Sequence, residues 1–319
     1  MNYPSYLSKY HNGELEKTVL AARQMLSNCK ICPRQCGVNR LKGETGFCRT
    51  GAKAKICSYM PHFGEEPPLS GESGSGTIFF SNCNLRCVYC QNYRFSQGQE
   101  GREAGPEELA GFMLKLQETG CHNINLVTPT HVMPQILESL QIAIGRGLKI
   151  PICYNTSGYE LPGMIKLLDG IVDIYLADMR YADKETAEKY SSAADYPSYN
   201  RDSVKQMHLQ AGIPVFDGRG IIKKGLIIRH LVLPQKLSGT REIMKFIAKE
   251  LSKDTYISLM SQYAPYHRAM EFKELSRRIT LEEYEQAQEI MHGFELYNGW
   301  TQESNGLERF AGENIKRNI

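Results

Sequence analysis

From Thr77 onward, short apolar runs alternate with amphipathic helical patterns, and this alternation constrains the fold more than any other feature of the chain. Strands that alternate with helices pair in parallel, because each return crossing lays a helix on a face of the sheet. The pattern predicts strands over 77–81, 123–128, 150–155, 171–177, 226–233 and 256–261. Helices are expected at 106–119, 134–145, 161–168, 184–191, 201–211 and 239–251, with a last one at 282–292. Pro106 and Pro134 fall in first helical turns, where a missing N–H costs no hydrogen bond. Six such units make an α/β partial barrel of the (β/α)6, TIM-like kind, short of the closed eightfold form. In sheets of this type the chemistry sits at the carboxyl ends of the strands.

The barrel is expected over 76–265, preceded by a leader with a short helix (1–28) and a loop-rich, cysteine-rich segment (29–75). Residues 266–319 read as a helical extension. With 319 residues, 41% of them hydrophobic, the chain can bury a substantial core. Its longest apolar runs, such as 221–228, are broken by Lys and Gly well short of the ~20 residues of a membrane span. The polar N-terminus lacks the apolar centre of a signal peptide, so a cytoplasmic location is expected. A net charge of +3, with basic residues scattered apart from 219–224 and 277–278, argues against a nucleic-acid partner.

Ten cysteines is a high count for a reducing compartment, where clustered thiols point to metal or redox chemistry. Cys57, Cys121 and Cys153 stand alone and read as small buried apolar residues. The other seven form two tight groups. Cys83, Cys87 and Cys90 follow the first predicted strand with the spacing C-x3-C-x2-C. Three thiolates leave one iron of a 4Fe–4S cluster without a protein ligand, and an open coordination position marks a catalytic site. A structural zinc knot would need a fourth ligand, which His62 or His131 could supply; a simple electron carrier would not need a barrel.

The run Cys83-Asn84-Leu85-Arg86-Cys87-Val88-Tyr89-Cys90 resembles the signature of the radical S-adenosylmethionine (radical SAM) enzymes, including the aromatic Tyr89 before the last cysteine. The resemblance implies a cluster whose open iron chelates the amino and carboxylate groups of S-adenosylmethionine. One-electron reduction then gives a 5′-deoxyadenosyl radical that abstracts hydrogen from a substrate. It also implies cofactor contacts at the other strand ends. Where glycyl-radical activating enzymes carry Gly-Gly-Glu, this chain has Val127-Thr128-Pro129-Thr130-His131, leaving the hydroxyls and carbonyls of Thr128 and Thr130 for an ammonium group. Asn155 and Ser157 fall in an element similar to their Asp-Thr-Asn-Gly, and Asp178 and Arg180 in one similar to their Leu-Asp-Leu-Lys. Arg180 could form a bidentate pair with the cofactor carboxylate. Arg229 stands in a run resembling Arg-Tyr-Val-Val-Pro. Strand alternation puts it on one face with Leu231 and leaves His230 on the other, so that an anionic ligand is expected inside the barrel. Gln262 and Tyr263 end the sixth strand as further candidate contacts, Tyr263 serving equally well as core packing. The loop His62-Phe63-Gly64-Glu65-Glu66-Pro67-Pro68 either closes over the site or is a solvated turn.

The second group, Cys29, Cys32, Cys36 and Cys48, supplies four ligands within twenty residues, as a closed metal site stapling a segment too small for its own core. With Gly43-Glu44-Thr45-Gly46-Phe47-Cys48, it resembles the N-terminal region of an uncharacterised branch of pyruvate formate-lyase activating-enzyme homologues. Spacing alone accommodates either zinc or a second 4Fe–4S cluster. The resemblance implies hydrogen abstraction from a protein or peptide glycine, with flavodoxin or ferredoxin as electron donor. The alternatives are the same chemistry on a small metabolite or RNA, and a non-enzymatic iron–sulfur or zinc scaffold.

Overall fold

The computed structural model describes residues 3–302. Ten strands form its sheet: β1 (Ala54–His62), β2 (Ser75–Phe80), β3 (Arg102–Ala104), β4 (Ile124–Val127), β5 (Ile152–Thr156), β6 (Ile174–Asp178), β7 (Val215–Phe216), β8 (Ile222–Leu231), β9 (Tyr256–Met260) and β10 (Gly299–Thr301). The order β2-β4-β5-β6-β8-β9 is parallel throughout and follows the chain, which is the expected partial (β/α)6 barrel. Every residue of β2 and β5 is buried, as befits strands covered on both faces.

The crossover helices Pro106–Glu118, Met133–Gly145, Pro162–Leu167, Lys184–Ser191 and Tyr196–Ala211 lie close to their predicted bounds. The last of these begins five residues earlier than its periodicity indicates, because Pro197 occupies its first turn. Asp183 caps Lys184–Ser191 by accepting from the Thr186 N–H at 2.8 Å. A capping box between Thr280 and Glu283 starts the helix Leu281–Gly293.

The sheet reaches further than its parallel core. On one side β1 pairs antiparallel with β2, and β3 with β1; on the other, β10 runs parallel to β9. Neither β1 nor β10 stands out in the sequence: β1 lies among Gly, Pro and Cys, and β10 is three residues long. Helices Tyr6–His11 and Glu14–Gln24 are tied to the barrel by Tyr6, which donates to the Ile150 carbonyl at 2.8 Å, and by Ser5 on Asp173 at 2.6 Å. Among the described residues no helix is long and apolar enough to cross a membrane.

Candidate active site

The carboxyl ends of the parallel strands surround a cavity of about 440 Å³. Its walls come from Phe79, Val127 and Thr128, from Asn155 to Ser157, and from Asp178, Arg180, Arg229 and Leu231. Ser258, Met260 and Gln262 line it beyond β9, and Trp300 to Gln302 beyond β10. The loop His62 to Pro67, which leaves β1 beside the amino end of β2, forms its floor, and Tyr89 and Cys90 open onto it from the cysteine loop.

Thr128 sits here at φ +60°, a left-handed conformation costly for a β-branched residue. Its N–H donates to the Asn155 carbonyl at 2.9 Å, which ties the β4 and β5 ends together. Two residues past Asn155, Ser157 leaves a buried Oγ with no hydrogen-bond partner at the cavity wall. The following turn requires Gly158: at φ +74°, an added Cβ would lie 2.1 Å from Asn200 Nδ2 and 2.5 Å from the Asp178 carbonyl.

Arg180 pairs with Asp178 at 2.5 Å, and another of its nitrogens stands 3.7 Å from Cys87 Sγ. Its Nε is buried and unpartnered. Arg229 and Leu231 face the cavity, whereas His230 is buried outside it, with Nδ1 2.8 Å from the Met179 carbonyl and Nε2 3.0 Å from Thr240 Oγ1. The counter-charge of Arg229 comes from the chain itself. Two of its nitrogens donate to Glu66 at 2.7 and 2.6 Å, and one also reaches Glu65. His62 Nδ1 adds a contact to Glu65 at 3.1 Å. Burial pushes the Glu65 carboxyl up, but Arg229 and His62 outweigh it and hold the group at about 2. The His62–Pro67 loop is therefore a buried ionic clasp and not a solvated turn.

Two expected contacts lie elsewhere. Thr130 is buried behind the cavity, its hydroxyl donating to Glu160 at 2.6 Å. Tyr263 packs edge-on against Tyr89, 5.7 Å between centroids, and donates to the Leu275 carbonyl at 2.7 Å, so its phenol is spent in the core. Thr156 also donates to Glu160, whose carboxyl burial raises to about 7 despite the hydroxyls around it.

The cysteine loop is braced from behind. Ser191, fully buried at the end of its helix, donates to Cys87 Sγ at 3.0 Å. With its one proton so used, Ser191 accepts from Tyr181 at 2.7 Å, and Tyr181 accepts from Tyr89 at 2.6 Å. The chain of hydroxyls thus has a single direction, from the cavity wall to the sulfur. Cys90 Sγ lies 3.3 Å from Ser96 Oγ, and the Leu85 N–H donates to Cys83 Sγ at 3.3 Å. Burial lifts the Cys83 thiol to about 12 and raises that of Cys90 as well, so ligation here would expel protons.

In the N-terminal group Cys29, Cys32 and Cys48 are buried and Cys36 is exposed. Burial, with the neighbouring Cys48 and Cys29 adding to it, raises Cys32 to about 12. Cys36 Sγ accepts from the Phe47 N–H at 3.4 Å and lies where a Cβ on Gly46 would meet it at 2.6 Å. Among the described residues no three His, Cys, Asp or Glu side chains are drawn together as single-ion ligands. The donor set of the triplet, three thiols beside a cavity, suits a cluster with one open iron. The unpartnered Ser157 Oγ and Arg180 Nε suit a polar ligand beside it.

Sequence reasoning overlooked Ser191, Tyr181 and the β10 residues. Ser258 and Met260 had a signal in strand alternation, which puts them on the face of Gln262. Trp300 is the lone tryptophan of the chain, but nothing local ties it to the barrel.

The profile of the Radical SAM superfamily matches residues 77–208. "Uncharacterized protein MJ0674" of Methanocaldococcus jannaschii is 33% identical over 293 residues, which cover 88% of this chain and 79% of that one. Two solved structures resemble it, each at 13% identity. A radical SAM methyltransferase from Sphaerobacter thermophilus has a TM-score of 0.47 over 72% of this chain and 67% of that one. A methylornithine synthase has 0.45 over 90% and 77%. Residues 77–208, which hold the cysteine motif, thus form a radical SAM superfamily domain.

Proposed function

We propose that the protein reductively cleaves S-adenosylmethionine in the cavity and takes a hydrogen atom from a glycine Cα of a protein or peptide, as pyruvate formate-lyase activating enzymes do. Cys83, Cys87 and Cys90 would hold the cluster, which when bound would supply the electron that breaks the sulfur–C5′ bond. The chain's own residues do the rest. Arg180, steadied by Asp178, offers a guanidinium edge for a carboxylate. Ser157 and the backbone at Thr128 offer polar atoms for an ammonium group, and Asn155 and Gln262 stand as amide contacts around them. The clasp of Glu65, Glu66 and Arg229 closes the floor of the cavity against water. Reduced thiols suit a cytoplasmic setting, and the second cysteine group would hold zinc or another cluster.

The observation that carries the substrate reading is the size of the cavity. About 440 Å³ lies in the lower part of the range of roughly 300–1,000 Å³ that takes a single small molecule. With the cofactor inside, the remaining room suits a small reacting segment fed in from the mouth, where β10 is one of the sheet's edge strands. The test is anaerobic reconstitution, reduction with dithionite and addition of S-adenosylmethionine, followed by chromatography for 5′-deoxyadenosine. Candidate glycyl-radical proteins are then added, and a doublet glycyl signal by electron paramagnetic resonance is expected. Cleavage with no such signal for any partner rejects the glycine substrate; no cleavage in their presence rejects the radical reaction.

A further inference from the structure

Four arginines gather between the two cysteine groups without a carboxylate. Arg34, Arg40, Arg49 and Arg86 enter no ion pair among the described residues, whereas Arg180 and Arg229 in the cavity each hold an acid. Arg40 is only 2% exposed; it donates to the His131 carbonyl at 2.7 Å and to Cys48 Sγ at 3.4 Å, and its Nε is buried without a partner. A buried guanidinium needs a negative charge nearby. Here the atom facing it is the sulfur of Cys48, and a metal-bound thiolate at that position would supply the charge.

The same arginines bridge the two groups almost ligand to ligand. Arg34, two residues from both Cys32 and Cys36, donates through Nε to the carbonyl of Asn84, which adjoins Cys83, at 3.0 Å. Arg86, which adjoins Cys87, donates to the carbonyl of Phe47, which adjoins Cys48, at 2.7 Å. The Phe47 ring lies under both guanidinium groups, 3.8 Å from that of Arg34 and 4.9 Å from that of Arg86. A staple that only holds a loop has no use for two short hydrogen-bonded routes into a catalytic centre. An electron path has, and zinc, with no second oxidation state, could not serve it.

The outer end is open and basic. Cys36 is the exposed ligand, and residues 29–55 hold seven basic side chains against one acid, Glu44. Lys30, Lys42, Arg49 and Lys53 are exposed. Such a face attracts an acidic partner and speeds its encounter.

We infer that Cys29, Cys32, Cys36 and Cys48 hold a redox-active 4Fe–4S cluster, and that this segment is the port where an acidic one-electron carrier of the ferredoxin or flavodoxin class docks. The carrier is oxidised by one electron, the N-terminal cluster is reduced by it, and the same electron passes to the cluster on Cys83, Cys87 and Cys90. The role as a port rests on the radical reading above; the cofactor does not, and the experiment separates them. The Cys83→Ala/Cys87→Ala/Cys90→Ala chain, reconstituted anaerobically with iron and sulfide, is expected to bind about four irons and four sulfides and to give a reduced-cluster signal by electron paramagnetic resonance. Native mass spectrometry of the anaerobically purified wild-type chain should show two cluster masses, which guards against a misfolded variant. One zinc per chain with no sulfide at this segment would overturn the assignment. In stopped flow, reduction of the wild-type chain by reduced ferredoxin should slow as salt rises, and Lys30→Glu/Lys42→Glu should be at least tenfold slower and indifferent to salt. A wild-type rate that ignores both salt and charge reversal would overturn the port.

Discussion

The two cysteine groups use one ligand type in opposite settings. The triplet leaves a coordination position free and opens through Cys90 onto a cavity whose arginines are matched by acids. The quartet can close its own site, faces outward through Cys36, and is flanked by arginines that no acid matches among the described residues. Ligand count and the charge standing next to the sulfurs, more than the sulfurs themselves, set the two groups apart.

The largest expected effect breaks the comparison on the catalytic side. Cys87→Ala should abolish 5′-deoxyadenosine formation, since an iron loses its anchor; retained cleavage by chromatography would show the triplet is misassigned. Cys32→Ala should remove the metal of the quartet and lower the melting temperature, while iron stays on the triplet. An unchanged metal content would count against a closed site in the quartet.

The arginines sharpen the contrast. Arg229→Met strands two buried carboxylates and should cost about 3–5 kcal/mol by denaturant unfolding. Arg40→Met strands no carboxylate, so in metal-free protein it should be neutral or stabilising, and destabilising only once the quartet is loaded. Acid should expose the same difference. The Glu65 carboxyl is held below its ordinary 4.5, at about 2, so its contribution is fully present above pH 4.5 and is lost as pH falls toward 2. Arg229→Met should flatten that loss; an identical acid limb in both proteins would mean the clasp does not set the pKa.

The smallest effect concerns tuning. Ser191→Ala removes the hydrogen bond to Cys87 Sγ and should move the midpoint potential of the catalytic cluster to more negative values, with the quartet unmoved. Redox titration followed by electron paramagnetic resonance reads both clusters, and an unshifted catalytic potential would make Ser191 a packing residue only.

Much of this was legible along the chain. The six parallel strands follow from local periodicity, and strand alternation separates Arg229 from His230 without any tertiary information. The cysteine spacings are local too, because each group's ligands lie on one loop. Charge partners are another matter. Glu66 and Arg229 are 163 positions apart, and nothing near either residue announces the other. Tyr263 reads the same as a cofactor contact or as core until the Leu275 carbonyl is seen beside its hydroxyl.

The sequence by itself therefore determined the order of strands and helices, the ends where side chains can converge, and the two sets of sulfur ligands, all of which depend on near neighbours in the chain. Only the tertiary structure decided that the quartet docks on the triplet, that Glu65 and Glu66 close the floor of the cavity, that Ser191 backs Cys87 and that β10 completes the wall. Those outcomes depend on which distant charges and hydroxyls come within reach once the sheet curls, because burial makes unpaired polar groups costly and so selects the partners.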